Sequence, residues 1–255
     1  MLLRPKKIKG TPREPAIGDA NCGGCILDPA GCLCEGCRIR SLSVCNVLSA
    51  EEMKSFRTLG HSVAFNPKTP LFAQDDPAES VYNLTEGMVR LYKLLPDGRR
   101  QIVGFALPGD FLGLALEDNY SFSADAVTTA ISCRFSRRIF ESYVDQTPAL
   151  LKRLHQSATY ELTLAREQMV LLGRRSAEER IAAFLVGLRD RLYRIGYQSA
   201  TLNLPMSRQD IADFLGLTIE TVSRTFTKLA KDKVILIVPD GVRFLKTEKL
   251  ETMAA

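Results

Sequence analysis

The sequence predicts an α+β protein in which an antiparallel β-roll precedes a long amphipathic helix and a small C-terminal domain. Between residues 61 and 135, short β-branched and aromatic runs alternate with turn pairs such as Asp97-Gly98. After residue 137, apolar residues recur every three or four positions. Around Gly216, two short helical segments flank a turn and precede a hairpin. The apolar period therefore changes from that of strands to that of helices.

Composition limits the function classes only loosely. A chain of 255 residues with 45% hydrophobic residues can bury one large or two modest cores without disulfides. The formal charge of +5 permits contact with nucleic acid but does not by itself predict it. No apolar run reaches the length of a signal peptide core or of a membrane span, so we expect a cytoplasmic protein with no membrane partner.

The N-terminal region divides at its cysteines. Residues 1–21 are basic, contain three prolines and lack periodicity, so we expect a mobile tail. Residues 22–48 hold six of the seven cysteines, and in a reducing compartment such clustering indicates metal, cluster or redox chemistry before disulfides. Ser49 is a candidate N-cap for a short helix that leads into the β-roll domain, predicted over residues 49–140.

A long helix is predicted over residues 141–173. Its apolar residues fall on one seam, and they are Leu151, Leu154, Ala158, Leu162, Ala165, Met169 and Leu172. A coiled-coil homodimer would bury this seam, and so would packing against the chain's own roll.

Residues 174–255 are predicted to form a winged helix-turn-helix domain. Ser207 and Asp210 form a capping-box-like start for the first short helix. Gly216 supplies the positive φ of a tight turn, and Thr218 can cap the second helix. The runs KVILIV and GVRFLK flank Pro239-Asp240-Gly241 and are typical of a wing hairpin.

The second short helix has the divided surface of a DNA-reading helix. Apolar spacing assigns Ile219, Val222, Phe226 and Leu229 to its buried side. The opposite side presents Glu220, Ser223 and Arg224, which can contact cytosine, a base edge or thymine methyl, and guanine, respectively. Predicted to face phosphates or solvent are Ser207, Thr218, Thr221, Thr225, Thr227 and Lys228.

An ordinary surface helix with a Glu220–Arg224 pair at i, i+4 is the competing interpretation. The complete order of capped helix, turn, second helix and wing favours DNA binding over it. A reader of two half-sites needs two copies of the chain, which favours the homodimer for the long helix as well.

Three segments resemble one protein family. SRQDIADFLGLTIETVSRTFTKLAKDKVI is similar to the C-terminal motif of the cAMP receptor protein superfamily, particularly its fumarate-and-nitrate-reduction regulator (FNR) branch. EGMVRLYKLLPDGRRQIVGFALPGDFLGL resembles the family's sensory roll, and SAEERIAAFL resembles the joint before the DNA domain. The likeness covers roughly residues 34–250.

The resemblance implies a cyclic-nucleotide-binding-domain-like roll and a homodimeric transcription regulator that activates anaerobic or microaerobic genes with RNA polymerase. It assigns base reading to Glu220, Ser223 and Arg224 and implies a palindrome of the TTGAT-N4-ATCAA type. No cyclic nucleotide is expected, because PGDFLGLALEDNYSF has no arginine to meet a phosphate. A haem is disfavoured because the histidines, His61 and His155, stand in unrelated contexts.

The cysteines are better candidates for the sensor. Cys34-x2-Cys37-x7-Cys45, with a distant Cys133, supplies the four soft ligands of one [4Fe–4S] cluster per subunit. The FNR branch uses such an arrangement, and the seven-residue gap resembles its rhizobial FnrN-like subgroup. The resemblance therefore implies an oxygen-labile cluster that promotes dimerisation and DNA binding.

The cysteine pattern also fits different chemistry. Spacing alone does not choose between this triplet and Cys22, Cys25 and Cys32, although Cys45 lies nearer the helix that enters the roll. Cys133 equally fits a small buried hydrophobe on its strand. Four thiolates, Cys22, Cys25, Cys34 and Cys37, are enough for a tetrahedral zinc site, although the eight-residue gap between Cys25 and Cys34 is short for one. A metal-free thiol switch and, least favoured, a cysteine-based redox enzyme are compatible with the cysteine count.

Overall fold

The computed structural model describes Cys34 and residues 37–114 and 118–255, and it confirms the predicted fold class. Two antiparallel sheets face each other in the roll, in the strand orders β1-β8-β3-β6 and β2-β7-β4-β5. The strands are β1 (Gly60–Phe65), β2 (Pro70–Phe72), β3 (Ser80–Glu86), β4 (Val89–Leu94), β5 (Arg100–Ala106), β6 (Phe111–Leu112), β7 (Ser123–Ala126) and β8 (Ala130–Ser136).

The predicted hairpin at Asp97-Gly98 joins β4 to β5. Gly98 has a φ of 83°, which glycine adopts without steric cost. The Leu95 carbonyl accepts a hydrogen bond from the Gly98 amide at 2.9 Å and closes the turn. Local turn chemistry was therefore sufficient to locate this hairpin.

The roll has a different apolar cluster on each side of its first sheet. Between the sheets, aromatic rings fill the interior, with Phe72 stacked on Tyr120 at 4.1 Å between centroids. On the outer face, Val81 and Phe135 pack against a 3₁₀ helix (Val44–Val47) and α1 (Ala50–Arg57). The N-terminal segment is thus held on the outside of the roll by apolar burial.

The long helix begins later than predicted. The structure has a separate α2 (Arg137–Asp145) and then α3 (Pro148–Arg174). Pro148 is the first residue of α3, and a proline disfavours helical backbone in the residue before it. Thr147 accordingly has φ −127° and ψ 83°, which breaks the helix there.

The predicted seam of α3 divides into two parts. Leu154 is buried among N-terminal residues of its own chain, and Leu172 packs half-buried against the C-terminal domain. These two leucines lie at one edge of the apolar stripe, where the alternative of packing against the chain's own residues applies. The centre of the stripe is open, with Leu151, Leu162 and Met169 exposed by 53%, 50% and 72%.

The C-terminal domain has the predicted helix-turn-helix and wing. Its elements are α4 (Ala177–Arg194), β9 (Thr201–Asn203), α5 (Arg208–Leu215), α6 (Ile219–Lys231), β10 (Ile235–Val238), β11 (Gly241–Phe244) and α7 (Thr247–Ala254). The strand β9 extends the wing to the order β10-β11-β9, and α7 packs on α4; neither element was predicted. Among the described residues, no helix is long and apolar enough to cross a bilayer.

Candidate nucleic-acid interface and candidate metal centre

The turn between α5 and α6 is built by local hydrogen bonds. The Ser207 hydroxyl accepts from the Asp210 amide at 3.0 Å, and the Asp210 carboxylate accepts from the Ser207 amide at 3.0 Å. Gly216 ends α5 in the left-handed conformation, with φ 62° and ψ 40°. The Thr218 hydroxyl then accepts from the Thr221 amide at 3.2 Å and starts α6.

One face of α6 is open and polar. Glu220, Ser223 and Arg224 are exposed, whereas Val222, Phe226 and Leu229 are buried by 99% or more. The pKa of Glu220 lies below its ordinary value because its own backbone amide and Thr218 hydrogen-bond the carboxylate, and the Arg224 charge adds to this. The helix therefore presents an ionised acceptor and a cationic donor side by side.

Several flanking residues differ from their predicted surroundings. Ile219, assigned to the buried side, is 37% exposed. Thr225, expected to face phosphate or solvent, is only 7% exposed, because its hydroxyl donates to the Thr221 carbonyl at 2.9 Å while its methyl packs inward. Thr227 is exposed and donates to the Ser223 carbonyl at 3.0 Å, and the Lys228 ammonium pairs with Glu178 of α4.

Arg208 holds the two short helices together, a role that was not predicted. Its guanidinium carbon lies 3.4 Å from the Phe226 ring centroid, so α5 stacks on α6. Burial lowers the pKa of this side chain. Arg208 is the first residue of α5, where a positive charge interacts unfavourably with the helix dipole. This unfavourable placement was the signal in the sequence that Arg208 has a role in packing.

An ionic network connects α5 to the roll. Asp210 Oδ1 accepts from Arg90 Nη1 at 2.8 Å and from Arg100 Nη2 at 2.7 Å. Arg90 also forms a bidentate ion pair with Asp125, with N···O distances of 2.6 and 2.8 Å, and Arg100 forms an ion pair with Asp213 at 3.1 Å. Strands β4 and β5 are therefore bonded directly to the first helix of the DNA-reading motif.

An apolar contact accompanies this network. Phe105 of β5 lies 5.5 Å from Phe214 of α5 and 6.2 Å from Phe184 of α4, measured between ring centroids. The roll and the C-terminal domain thus share one continuous core. No local sequence pattern predicts such contacts, because the partners are about a hundred residues apart in the chain.

Three of the four predicted cluster ligands, Cys34, Cys45 and Cys133, lie in the apolar cluster on the outer face of the first sheet. Cys45 is buried in the 3₁₀ helix, Cys133 points outward from β8, and Cys34 packs beside them. Burial raises the pKa of Cys133 to about 12, and the charges of Cys45, Cys34 and Cys37 contribute to the rise. The structure therefore brings the four side chains within electrostatic reach of one another.

Cys45 has a similar environment. Burial raises the pKa of its thiol to about 11, opposed by a hydrogen bond from Ser43, and the charges of Cys34 and Cys37 raise it further. Without a bound cation, two buried thiols of this kind stay protonated near neutral pH. A metal group that neutralises the thiolates would remove that penalty.

The four candidate ligands are all thiols, the soft donors that an iron–sulfur cluster takes. In the part of the chain that the structure describes, no three His, Cys, Asp or Glu side chains are close enough to share a single metal ion. A [4Fe–4S] cluster would be held by one thiolate from each of Cys34, Cys37, Cys45 and Cys133. Cys22, Cys25 and Cys32 lie outside the described residues. They make up the first triplet, and two of them belong to the zinc site.

Two family models match the chain. One is described as bacterial regulatory proteins, crp family, and matches residues 204–235; the other is described as cyclic nucleotide-binding domain and matches residues 62–147. The first covers the helix-turn-helix and the second covers most of the roll. Each match coincides with one part of the structure.

Known proteins match over nearly the whole chain. The transcriptional activatory protein AadR of Rhodopseudomonas palustris is 55% identical over 228 residues, covering 87% of this chain and 95% of that protein. The nitrogen fixation regulation protein FixK of Bradyrhizobium diazoefficiens is 51% identical over 230 residues, covering 90% and 97%. The solved structure of FixK2 from Bradyrhizobium japonicum has a TM-score of 0.72 and 34% identity, covering 77% and 98%.

These relatives are regulators, which confirms the expectation that the protein is a regulator and not an enzyme. The identity extends through the roll, the long helix and the reading motif, so the likeness is not confined to one common domain. The chain belongs to the CRP/FNR family of DNA-binding transcription regulators.

Proposed function

We propose that this protein is an oxygen-responsive transcription activator that binds a TTGAT-N4-ATCAA-like palindrome as a homodimer when Cys34, Cys37, Cys45 and Cys133 hold a [4Fe–4S] cluster. The observation that carries the proposal is the gathering of these four thiols against the N-terminal end of α3. The description of the relative AadR as a transcriptional activatory protein supports the activating role. When bound, the cluster supplies an iron centre that oxygen destroys.

The segment that carries Cys34, Cys37 and Cys45 contacts α3 directly. Arg153 of α3 donates from Nη2 to the Leu42 carbonyl at 2.6 Å, and Leu150 and Leu154 share one apolar cluster with Cys45. Four ligated thiolates would fix this segment on the roll and thereby fix the first turns of α3. Loss of that anchorage frees the segment and shifts the population away from the paired form.

The open stripe of α3 gives the dimer its proposed interface. Leu151, Ala158, Leu162, Ala165 and Met169 follow one another along the exposed part of the seam. Pairing two copies would bury this apolar surface and place two α6 helices on one face of the duplex, about 34 Å apart. In this arrangement Glu220, Ser223 and Arg224 read bases in each half-site, and Ser207, Thr218, Thr221, Thr227 and Lys228 border the phosphates.

Two partner assignments complete the proposal. No cyclic nucleotide is required, since the segment 108–122 has no arginine for a phosphate, and Asp110 within it accepts from Arg191 of α4 at 2.6 Å. Activation implies contact with RNA polymerase once the dimer is on DNA. Both assignments are separable from the cluster and can be tested without it.

Anaerobic reconstitution tests the oxygen response. We expect about four iron atoms and four sulfides per subunit, a dimer in sedimentation, and tight binding to the palindrome. Exposure to air should remove iron, the dimer and DNA affinity together. DNA binding that is indifferent to iron loss would contradict oxygen sensing, and one zinc per subunit with no iron would favour the zinc site.

Cysteine variants identify the ligands in the same experiment. Cys45→Ser and Cys133→Ser should fail to retain iron, because each removes one of four thiolates. Cys22→Ser and Cys25→Ser serve as matched controls and should retain it. The reverse result would assign the cluster to the first triplet.

Base reading by α6 predicts a loss of specificity on substitution. Arg224→Ala should weaken binding by about 5- to 150-fold per half-site, since a bidentate contact to guanine discriminates by about 1–3 kcal/mol. Glu220→Ala should relax the preference at a different base pair. The measurement is titration of the palindrome and of single-base variants over a range of salt concentrations.

Lys231→Ala on the exposed end of the same helix is the control for that titration. We expect it to alter at most the salt-dependent part of binding and to leave base preference unchanged. Equal losses for Arg224→Ala on the palindrome and on unrelated DNA would contradict base reading.

A further inference from the structure

Asn83 is a buried amide between two of the cysteines. It is 1% exposed, and its Nδ2 lies 4.0 Å from Cys45 Sγ, within hydrogen-bond reach of sulfur. On the neighbouring strand, Asn83 of β3 is the register partner of Cys133 of β8. The amide therefore lies beside one proposed ligand and points toward another.

The alternation of the strands explains this placement. Val81 and Asn83 are two residues apart on β3, so they share the outer face of the sheet. Their partners Phe135 and Cys133 share the same face on β8. Val81, Phe135 and Cys45 belong to one apolar cluster, and Asn83 is therefore a polar group set into an apolar surface.

An amide in this position is costly for the fold alone. Its Oδ1 is buried without a hydrogen-bond partner among the described residues, and its Nδ2 lies 4.0 Å from the Cys45 sulfur, at the far limit of a hydrogen bond. A leucine of similar volume would fill the space without that penalty. A partially satisfied buried amide suggests a partner that accepts more strongly than a neutral thiol.

A thiolate is that partner. An N–H donor bonds an anionic acceptor more strongly than a neutral one, and Asn83 Nδ2 already lies 4.0 Å from Cys45 Sγ. Hydrogen bonds to ligand sulfurs orient them and withdraw charge from an iron–sulfur cluster. Asn83 is thus placed to supply one such donor to Cys45.

We propose that Asn83 is a positioning residue of the cluster site, donating Nδ2–H to the Cys45 thiolate and stabilising the cluster-bound state. The inference rests on the proposed function, because it requires Cys45 to ligate iron. It assigns Asn83 no contact with DNA and no part in the dimer seam.

The test is Asn83→Leu in the full chain, reconstituted anaerobically beside the wild type. We expect the half-life of bound iron in air to fall by about tenfold, the low end of the effect of removing an outer-shell partner of a metal ligand. The reduction potential should become more negative, since one hydrogen bond to a ligand sulfur is lost. The melting temperature of the metal-free variant should stay unchanged or rise.

Two further variants keep the result interpretable. Asn83→Asp has almost the same shape and, as the carboxylate, has no donor, so at a pH where it is ionised it should shorten the iron half-life even if Asn83→Leu does not fold. Ser132→Ala is the matched control, because Ser132 is fully buried and its hydroxyl also lacks a hydrogen-bond partner among the described residues. Ser132 precedes Cys133 on β8, so its side chain is on the opposite face of the sheet from the cysteines. It should leave half-life and potential at wild-type values.

The outcomes separate this inference from the proposed function. Wild-type protein that binds no iron after reconstitution would overturn both. Wild-type protein that binds iron, together with Asn83 variants of unchanged half-life and potential, would overturn the inference alone. A lower melting temperature of the metal-free variant with an unchanged potential would assign Asn83 a merely structural role and overturn it too.

Discussion

Asp210→Ala is expected to lower the free energy of unfolding by about 3 kcal/mol, the low end of the cost of removing one partner from a buried ion pair. The Asp210 side chain is only 5% exposed and accepts from both Arg90 and Arg100. Its removal leaves two half-buried guanidinium groups short of a partner. The loss stays at the low end because Arg90 keeps Asp125 and Arg100 keeps Asp213.

The same ionic network predicts that the free energy of unfolding depends on pH. Burial opposes ionisation of Asp210, but hydrogen bonds from Ser207 and the charges of Arg90 and Arg100 outweigh it, so the pKa lies below its ordinary 3.8. The contribution of Asp210 to the free energy of unfolding is therefore fully present above the pKa that Asp210 has in the unfolded chain. It is lost as the pH falls through the lower pKa that Asp210 has in the folded protein. Urea unfolding at pH 7 and between pH 4 and 3 should show Asp210→Asn converging on the wild type in acid.

Asp97→Ala is the matched control. Asp97 pairs with Arg99 on the same β4–β5 hairpin, but both side chains are more than half exposed. Exposed pairs contribute about 0–1 kcal/mol, so this variant should unfold almost like the wild type. Equal losses for Asp97→Ala and Asp210→Ala would show that the contact between the roll and α5 adds no stability of its own.

Asp210 also shows what the sequence can predict. Its role in the capping box depends on Ser207 three residues away, and that local pattern located the start of α5 correctly. Its partners Arg90 and Arg100 are 120 and 110 residues away, and only the packed roll places them beside it. Patterns that close within one turn were predictable, whereas contacts between distant elements were not.

Errors in the prediction have the same origin. Thr225 was assigned outward because it is polar, although its methyl group suits the buried side and its hydroxyl is satisfied by the preceding turn. The break before Pro148 was visible in the sequence, but the apolar period on either side concealed it. Asn83 had no signal at all, because its significance depends on which strand lies beside it.

The seam of α3 was predicted from its period, but the period does not say what covers it. Leu154 lies on the edge of the stripe that faces the N-terminal segment and is buried there by its own chain. Leu162 lies about 80° further around the helix axis and remains half exposed. Of these two positions, only that of Leu162 is available to a partner subunit.

Leu162→Glu is therefore expected to abolish the dimer. A symmetric pairing of α3 would bury two like charges opposite each other, and neither would have a partner. A monomer loses the second half-site, and with it the 10²- to 10⁴-fold gain that linked binding events provide. We expect monomer in sedimentation and a loss of palindrome affinity in that range, while affinity for a single half-site is unchanged.

Gln156→Glu is the control, since it adds the same charge to the same helix about 120° away from Leu162, on an exposed position. It should remain a dimer with wild-type affinity. Both variants should carry the wild-type amount of iron, because Leu162 lies about two turns of α3 beyond Leu154 and outside the apolar cluster that contains the cysteines. Persistence of the dimer in Leu162→Glu would place the interface elsewhere, whereas joint loss of iron and dimer would mean that ligation and pairing depend on one shared structure.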